Sequence, residues 1–142
     1  MKTYVNPSSA YKEARVRTAG QGQLIVMLYE EALKQIDTAL QVLEALQTNK
    51  FDLAHNAITR AQDVVTELTV SLDFDKGGDM AKNLFNLYMF FNRQLMEANV
   101  QKDPKPIRVV RNFMAQIRDS WVQIANTRVE APAIAPGVNI AG

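Results

Sequence analysis

Four long segments of this chain place apolar residues on one face of a helix, and short breaks separate them. The segments run from about 23 to 47, from 52 to 72, from 79 to 100 and from 104 to 126. Their apolar residues recur with the 3.6-residue period of an α-helix, and no segment alternates apolar and polar residues with a period of two. The sequence therefore predicts an all-α fold.

The breaks between these segments carry helix-ending residues. Thr48-Asn49-Lys50 ends the first helix, and Asp52 is the predicted N-cap of the second. The glycines of the segment 73–78 permit a left-handed turn before a third helix that starts near Asp79. Asp103 is a candidate cap for the fourth helix, whose first turn accommodates two prolines. Connections this short leave antiparallel neighbours, so we predict an up-down-up-down four-helix bundle.

The predicted core is the apolar face of each helix. In the first helix it contains Ile25, Tyr29, Ala32, Leu33, Ile36, Ala39, Leu40 and Leu43. In the second it contains Ala54, Ile58, Ala61, Val65, Leu68 and Leu72. In the third it contains Met80, Leu84, Leu87, Tyr88, Phe91, Leu95 and Ala98. In the fourth it contains Val110, Phe113, Met114, Ile117, Trp121 and Ile124.

Composition places the chain among ordered proteins of a single domain. It has 142 residues, of which 47% are apolar and 22% charged. We expect a bundle over residues 21–127, an N-terminal arm over 1–20 and a flexible Ala/Pro/Gly-rich tail over 128–142. A net charge of +1 argues against nucleic acid as a partner. The absence of cysteine, of a signal peptide and of a membrane-spanning run predicts a cytoplasmic protein that does not insert into membranes.

Motifs for catalysis or metal binding are weak. His55 is the one histidine, and its position on the second helix indicates a solvated side chain. The segment that begins at Asp73 resembles a calcium loop, but its twelfth position is Leu84 rather than an acidic ligand. No cysteine or activated serine offers a nucleophile. We therefore predict no enzyme activity, no cofactor and no metal, and a metal-binding bundle remains the enzyme-class alternative.

The first and third helices carry more apolar surface than one core-facing stripe requires. On the third helix, Phe85, Met89 and Met96 lie about a third of a turn from the core stripe. On the first, a flanking row contains Leu24, Leu28, Val42 and Leu46. These residues are either flank positions of a wide core or contacts for a partner, and methionines favour surfaces that repack around a partner.

The energetics indicate what kind of partner would bind. Burying one such side chain contributes roughly 1.5 to 3 kcal/mol, and association costs take back several kcal/mol. One row alone would bind weakly, so we expect an amphipathic segment that folds while contacting several grooves. A homodimer in which the rows pair with each other is the competing interpretation, and a protein that keeps these rows for a different partner should be largely monomeric on its own.

Short motifs recur in a fixed order and spacing along residues 10–126. The motifs are Ala10-Tyr11, Val16-Arg17-Thr18-Ala19, Leu24 to Ala32, Glu67-Leu68, Ser71-Leu72-Asp73, Gly77-Gly78, Asn83-Leu84, Leu87-Tyr88, Arg93-Gln94-Leu95, Ala98-Asn99, Arg118-Asp119 and Trp121. Together they resemble the flagellar secretion chaperone FliS family, and their order and spacing carry the resemblance. The family commonly has Ser or Pro where this chain has Gly20-Gln21-Gly22, and the tail after Arg128 lies outside the shared pattern.

The resemblance implies a four-helix bundle that holds the disordered C-terminal segment of flagellin in apolar grooves. Such a chaperone would prevent premature polymerisation and present flagellin to the cytoplasmic domain of the export gate. The resemblance also implies that the N-terminal segment covers part of the groove when flagellin is absent. Tyr11 matches a family tyrosine linked to function at the export gate, and an aromatic that pins the arm onto the bundle is the other interpretation.

Overall fold

The described part of the chain, residues 20–127 of a computed structural model, is helical almost throughout. Its helices are α1 (Gln21–Glu44), α2 (Phe51–Val70), α3 (Phe74–Gln101) and α4 (Pro104–Thr127), with a 3-10 turn at Thr48–Lys50. The predicted all-α class is confirmed.

The helices form an antiparallel ring in which each packs against two neighbours. α1 contacts α2 and α4, and α3 contacts the same two helices from the opposite corner. Arg108, near the start of α4, lies 2.7 Å from Glu44 at the end of α1, and Arg111 lies 2.6 Å from Asp37, further from that end. The pairs run in opposite directions along the two helices, as the predicted up-down-up-down topology requires.

Helix boundaries differ from the prediction at the connections after α1. α1 ends at Glu44 rather than Gln47, and Leu46 adopts a left-handed conformation with φ of 53°. The N-cap of α2 is Lys50, so the prediction of Asp52 as the cap is wrong. Asp52 lies instead in the first turn, where a carboxylate interacts favourably with the helix dipole.

α3 begins earlier than predicted, at Phe74 instead of Asp79. Asp73 is its N-cap, and the Asp73 carboxylate accepts hydrogen bonds from the backbone N–H groups of Asp75 and Lys76. Gly78, with φ of 53° and ψ of −127°, interrupts the helix after one turn. At the start of α4, the Asp103 carboxylate accepts from the N–H of Lys105 at 3.0 Å, which confirms the predicted cap.

The core agrees with most of the predicted faces, with two corrections. Phe113 is 45% exposed and Met80 is also exposed, although both were predicted to be buried. Phe113 lies on the flank of α4 that meets α3, and Met80 follows directly on the kink at Gly78. Ile107, which the sequence did not assign, is fully buried in the first turn of α4.

Candidate partner-binding surface

Two buried tyrosines set the rotation of α3 within the bundle. The hydroxyls of Tyr29 in α1 and Tyr88 in α3 lie 2.8 Å apart and form a hydrogen bond across the centre of the ring. Burial raises the pKa of Tyr88 to about 12, and burial together with the Tyr88 hydroxyl raises the pKa of Tyr29 further. Both phenols are therefore neutral at pH 7. Because this pair fixes which side of α3 points inward, it also fixes which residues line its flanks.

One flank of α3 carries an exposed apolar row. Phe85, Met89 and Met96 lie roughly 60 to 100° around the helix from Tyr88. Phe85 and Met96 are exposed and Met89 is half-buried. Val100, one turn beyond Met96, is also exposed and extends the row, although it is not among the contact residues predicted from the sequence. We call Phe85, Met89, Met96 and Val100 the α3 row.

The α3 row borders the groove between α2 and α3. Asn92 and Asn99 lie between Tyr88 and the row around the helix, and both contact α2. The Asn99 amide is 2.8 Å from Nδ1 of His55, and Gln62 donates a hydrogen bond to the backbone carbonyl of Asn92. The α3 row therefore lies further from the bundle core than these polar contacts between α2 and α3.

Asn92 is unusual among the polar residues of this groove. Its side-chain oxygen Oδ1 is buried and has no hydrogen-bond partner, and no other buried side-chain polar atom in residues 20–127 shares this property. An unpaired buried acceptor costs roughly 1 to 3 kcal/mol. The packing of the groove thus leaves one polar atom unsatisfied.

The opposite flank of α3 forms an aromatic seam with α4. The rings of Phe90 and Phe113 meet edge to face with centroids 6.3 Å apart, and Phe91 is also 6.3 Å from Phe113. Val109, one turn before Phe113, is exposed as well. The sequence pattern does not predict this surface, because it places Phe113 in the core. Two adjacent apolar pairs, Val109-Val110 and Phe113-Met114, could have indicated this surface. Neighbouring residues on a helix point about 100° apart, so one member of each pair lies outside the core stripe.

The predicted row on α1 does not join the α3 row in one surface. Val42 is 2% exposed and lies in the bundle core, and Leu24 is also buried. Leu28 is half-buried against the core, whereas Leu46 is exposed in the connection after α1. α1 occupies the corner of the ring diagonal to α3. Tyr11 lies outside the described residues.

A polar cleft lies between α1 and α4. Its volume is about 470 Å³, and it is lined by Asp37, Leu40, Gln41, Glu44, Arg108, Arg111 and Asn112. Both of its ion pairs are about half exposed, and such pairs contribute on the order of 0 to 1 kcal/mol. The hydrogen bond to Asp37 raises the pKa of the Arg111 guanidinium, which is in any case charged at neutral pH. This cleft offers paired charges rather than apolar contact area.

Between residues 20 and 127, no group of three or more His, Asp or Glu side chains is arranged to hold a metal ion. His55 is exposed and contacts Asn99, as described above. None of the helices in the described part of the chain combines the length and the hydropathy that a membrane span requires.

Comparison with known proteins identifies the family of the chain. The family model described as "Flagellar protein FliS" matches residues 4–128. The chain belongs to this family. The Flagellar secretion chaperone FliS of Salmonella typhimurium is 32% identical over 114 residues, which cover 80% of this chain and 82% of the relative. The protein of the same name from Bacillus subtilis is 29% identical over 118 residues, which cover 83% and 85% of the two chains.

Family membership confirms the resemblance drawn from the sequence motifs. FliS proteins are flagellar secretion chaperones rather than enzymes, which confirms that this chain is not an enzyme. Family membership also supports a role in flagellar export with a flagellar protein as the partner. Family membership alone does not assign the surface that contacts this partner.

Proposed function

We propose that this FliS protein binds the C-terminal segment of flagellin along the α3 row. In this proposal it keeps flagellin from polymerising in the cytoplasm and delivers it to the cytoplasmic domain of the export gate. The observation that carries the proposal is the exposed row itself, because a chaperone of this size has to offer apolar surface that its own core does not use. Phe85, Met89, Met96 and Val100 supply such surface along four turns of one helix.

The composition of the row suits a segment that folds on binding. Methionine side chains have several rotatable bonds and adapt to different apolar partners. A disordered segment loses conformational entropy when it folds, so it needs contacts spread over a long surface. The aromatic seam at Phe90 and Phe113 lies on the other flank of α3 and supports a path that continues across this helix.

The four contact residues predicted on the α1 side of the bundle differ in their accessibility to a partner. Leu28 and Leu46 keep accessible surface, whereas Leu24 and Val42 would have to become exposed before they could contact flagellin. We therefore place the first contacts on the α3 row.

A matched pair of charge substitutions tests the site. Met96 on the row is 56% exposed and Leu53 on α2 is 48% exposed, so glutamate at either position should leave folding largely intact. Met96→Glu should weaken binding of a flagellin C-terminal peptide at least tenfold in calorimetry, because the charge would have to be buried. Leu53→Glu should change the affinity less than twofold. Unchanged binding by Met96→Glu would place the site elsewhere.

The competing homodimer makes a different prediction. Sedimentation velocity at micromolar concentration should show a monomer if the row is reserved for flagellin. A dimer that Met96→Glu converts to a monomer would instead assign the row to contact between two copies.

We propose separately that Tyr11 acts at the export gate. Tyr11→Ala should weaken binding to the cytoplasmic domain of the gate and leave affinity for the flagellin peptide unchanged. Loss of both interactions would indicate that Tyr11 holds the arm on the bundle instead.

A further inference from the structure

A single helical turn precedes the main body of α3 and is separately stabilised. Asp73 accepts hydrogen bonds from the N–H groups of Asp75 and Lys76, both at 3.0 Å. The N–H of Gly77 donates to the carbonyl of Asp73 at 2.7 Å. The turn Phe74–Gly77 is therefore a formed element, although Gly78 separates it from the rest of the helix.

The kink at Gly78 brings the turn back onto the α3 row. In a continuous helix, Phe74 and Phe85 would be separated by about 16 Å along the axis, since each residue rises about 1.5 Å. Their ring centroids are instead 6.0 Å apart, with an edge-to-face angle of 65°. Both rings remain partly exposed. Phe74 thus covers part of the first residue of the row.

Gly78 permits this geometry through its backbone rather than through close packing. Its φ of 53° with ψ of −127° is a conformation that residues with a side chain rarely adopt. A Cβ atom at this position would meet no other atom within 4 Å. The turn is therefore linked to the body of α3 by a glycine with free space around its α-carbon.

We propose that Phe74 is an internal placeholder for the partner, which occupies the Phe85 end of the α3 row until a large apolar side chain of the bound segment displaces it. This inference rests on the proposed function for the identity of that segment, the C-terminal part of flagellin. An edge-to-face aromatic contact corresponds to roughly a two- to tenfold change in an equilibrium constant. The placeholder therefore lowers affinity modestly and keeps Phe85 partly covered in the free protein.

Replacement of Phe74 separates a placeholder from an ordinary contact residue. Phe74→Ala should bind the flagellin peptide two- to tenfold more tightly in calorimetry, because no internal ring competes for Phe85. Val70→Ala is the control, since Val70 is also exposed but lies at the end of α2, before the capped turn. It should leave the affinity unchanged. Weaker or unchanged binding by Phe74→Ala would overturn the placeholder.

A small probe makes the test independent of flagellin. Anilinonaphthalene sulfonate binds exposed apolar surface, so Phe74→Ala should bind it more tightly than the unmodified protein, and adding Phe85→Ala should reduce this gain because Phe85 is the residue that Phe74 covers. If the dye result holds while the flagellin peptide binds neither protein, the proposed partner is wrong and the placeholder stands. Equal dye binding with and without Phe74 would overturn the placeholder whatever flagellin does.

Discussion

At the scale of single residues, the hydrogen bond between Tyr29 and Tyr88 links two diagonal helices. Tyr29→Phe should destabilise the protein by roughly 1 to 3 kcal/mol in urea unfolding, because the Tyr88 hydroxyl stays buried without this partner. The double variant Tyr29→Phe/Tyr88→Phe should recover the part of that loss that comes from the unpaired Tyr88 hydroxyl, while the hydrogen bond between Trp121 and Tyr29 stays lost in both variants. A double variant as unstable as the sum of both single variants would show that the two hydroxyls are not coupled.

A substitution at Asn92 should stabilise the protein, whereas Tyr29→Phe should destabilise it. Asn92→Leu should raise the urea midpoint by the equivalent of about 1 kcal/mol, because it removes a buried oxygen that has no partner. Asn99→Leu is the control two turns along the same side of α3. It should give no gain, since the Asn99 side chain contacts His55 and accepts a hydrogen bond from Lys102. Equal gains from both would mean that only added apolar area matters.

At the scale of elements, the first turn of α3 depends on its cap. Asp73→Ala should cost about 1 kcal/mol and speed hydrogen exchange at the amides of Asp75 and Lys76, because these N–H groups lose their acceptor. Asp75→Ala, an exposed change in the same turn, should leave exchange at Lys76 nearly unaffected. Equal exchange in the Asp73 variant would show that the cap does not hold the turn.

Periodicity predicted the four helices because each carries a stripe that the bundle buries, such as Ile58 and Val65 on α2. Periodicity did not predict that α3 begins at Phe74, because Gly77 and Gly78 are typical helix-breaking residues. The Asp73 cap nevertheless starts a helical turn before these glycines. Periodicity also could not separate Phe113 from Met114. Both lie on a wide apolar face, and only the position of α3 decides which of them is buried.

The candidate surface could be predicted only in part from the sequence. Periodicity shows which apolar residues lie outside the core stripe, but not which of them remain exposed. Phe85 and Met96 were selected because they fall outside the core stripe, and the structure leaves both exposed. Val42 was selected by the same argument and is buried. An angular position on one helix does not reveal how closely the neighbouring helix approaches, so the two cases could not be distinguished from the sequence.

At the scale of the whole molecule, the bundle combines a closed core with an apolar surface left open on α3. The stability of the fold therefore comes from the buried interior and not from this exposed surface. Arg108–Glu44 and Arg111–Asp37 are exposed ion pairs that contribute little, so added salt should shift the urea midpoint only slightly.

The buried tyrosine pair predicts how stability depends on alkaline pH. The pKa of Tyr88 is about 12 in the folded protein, against about 10 when exposed, and burial raises the pKa of Tyr29 as well. The unfolded chain therefore loses these protons first, so their contribution is fully present below pH 10 and is lost as the pH rises through the folded-state values. Urea unfolding at pH 8 and pH 11 should show a clear loss of stability in the unmodified protein. Tyr29→Phe/Tyr88→Phe should lose much less over the same interval, because no buried phenol remains at the centre of the ring, and an equal loss in both proteins would assign the effect to other groups.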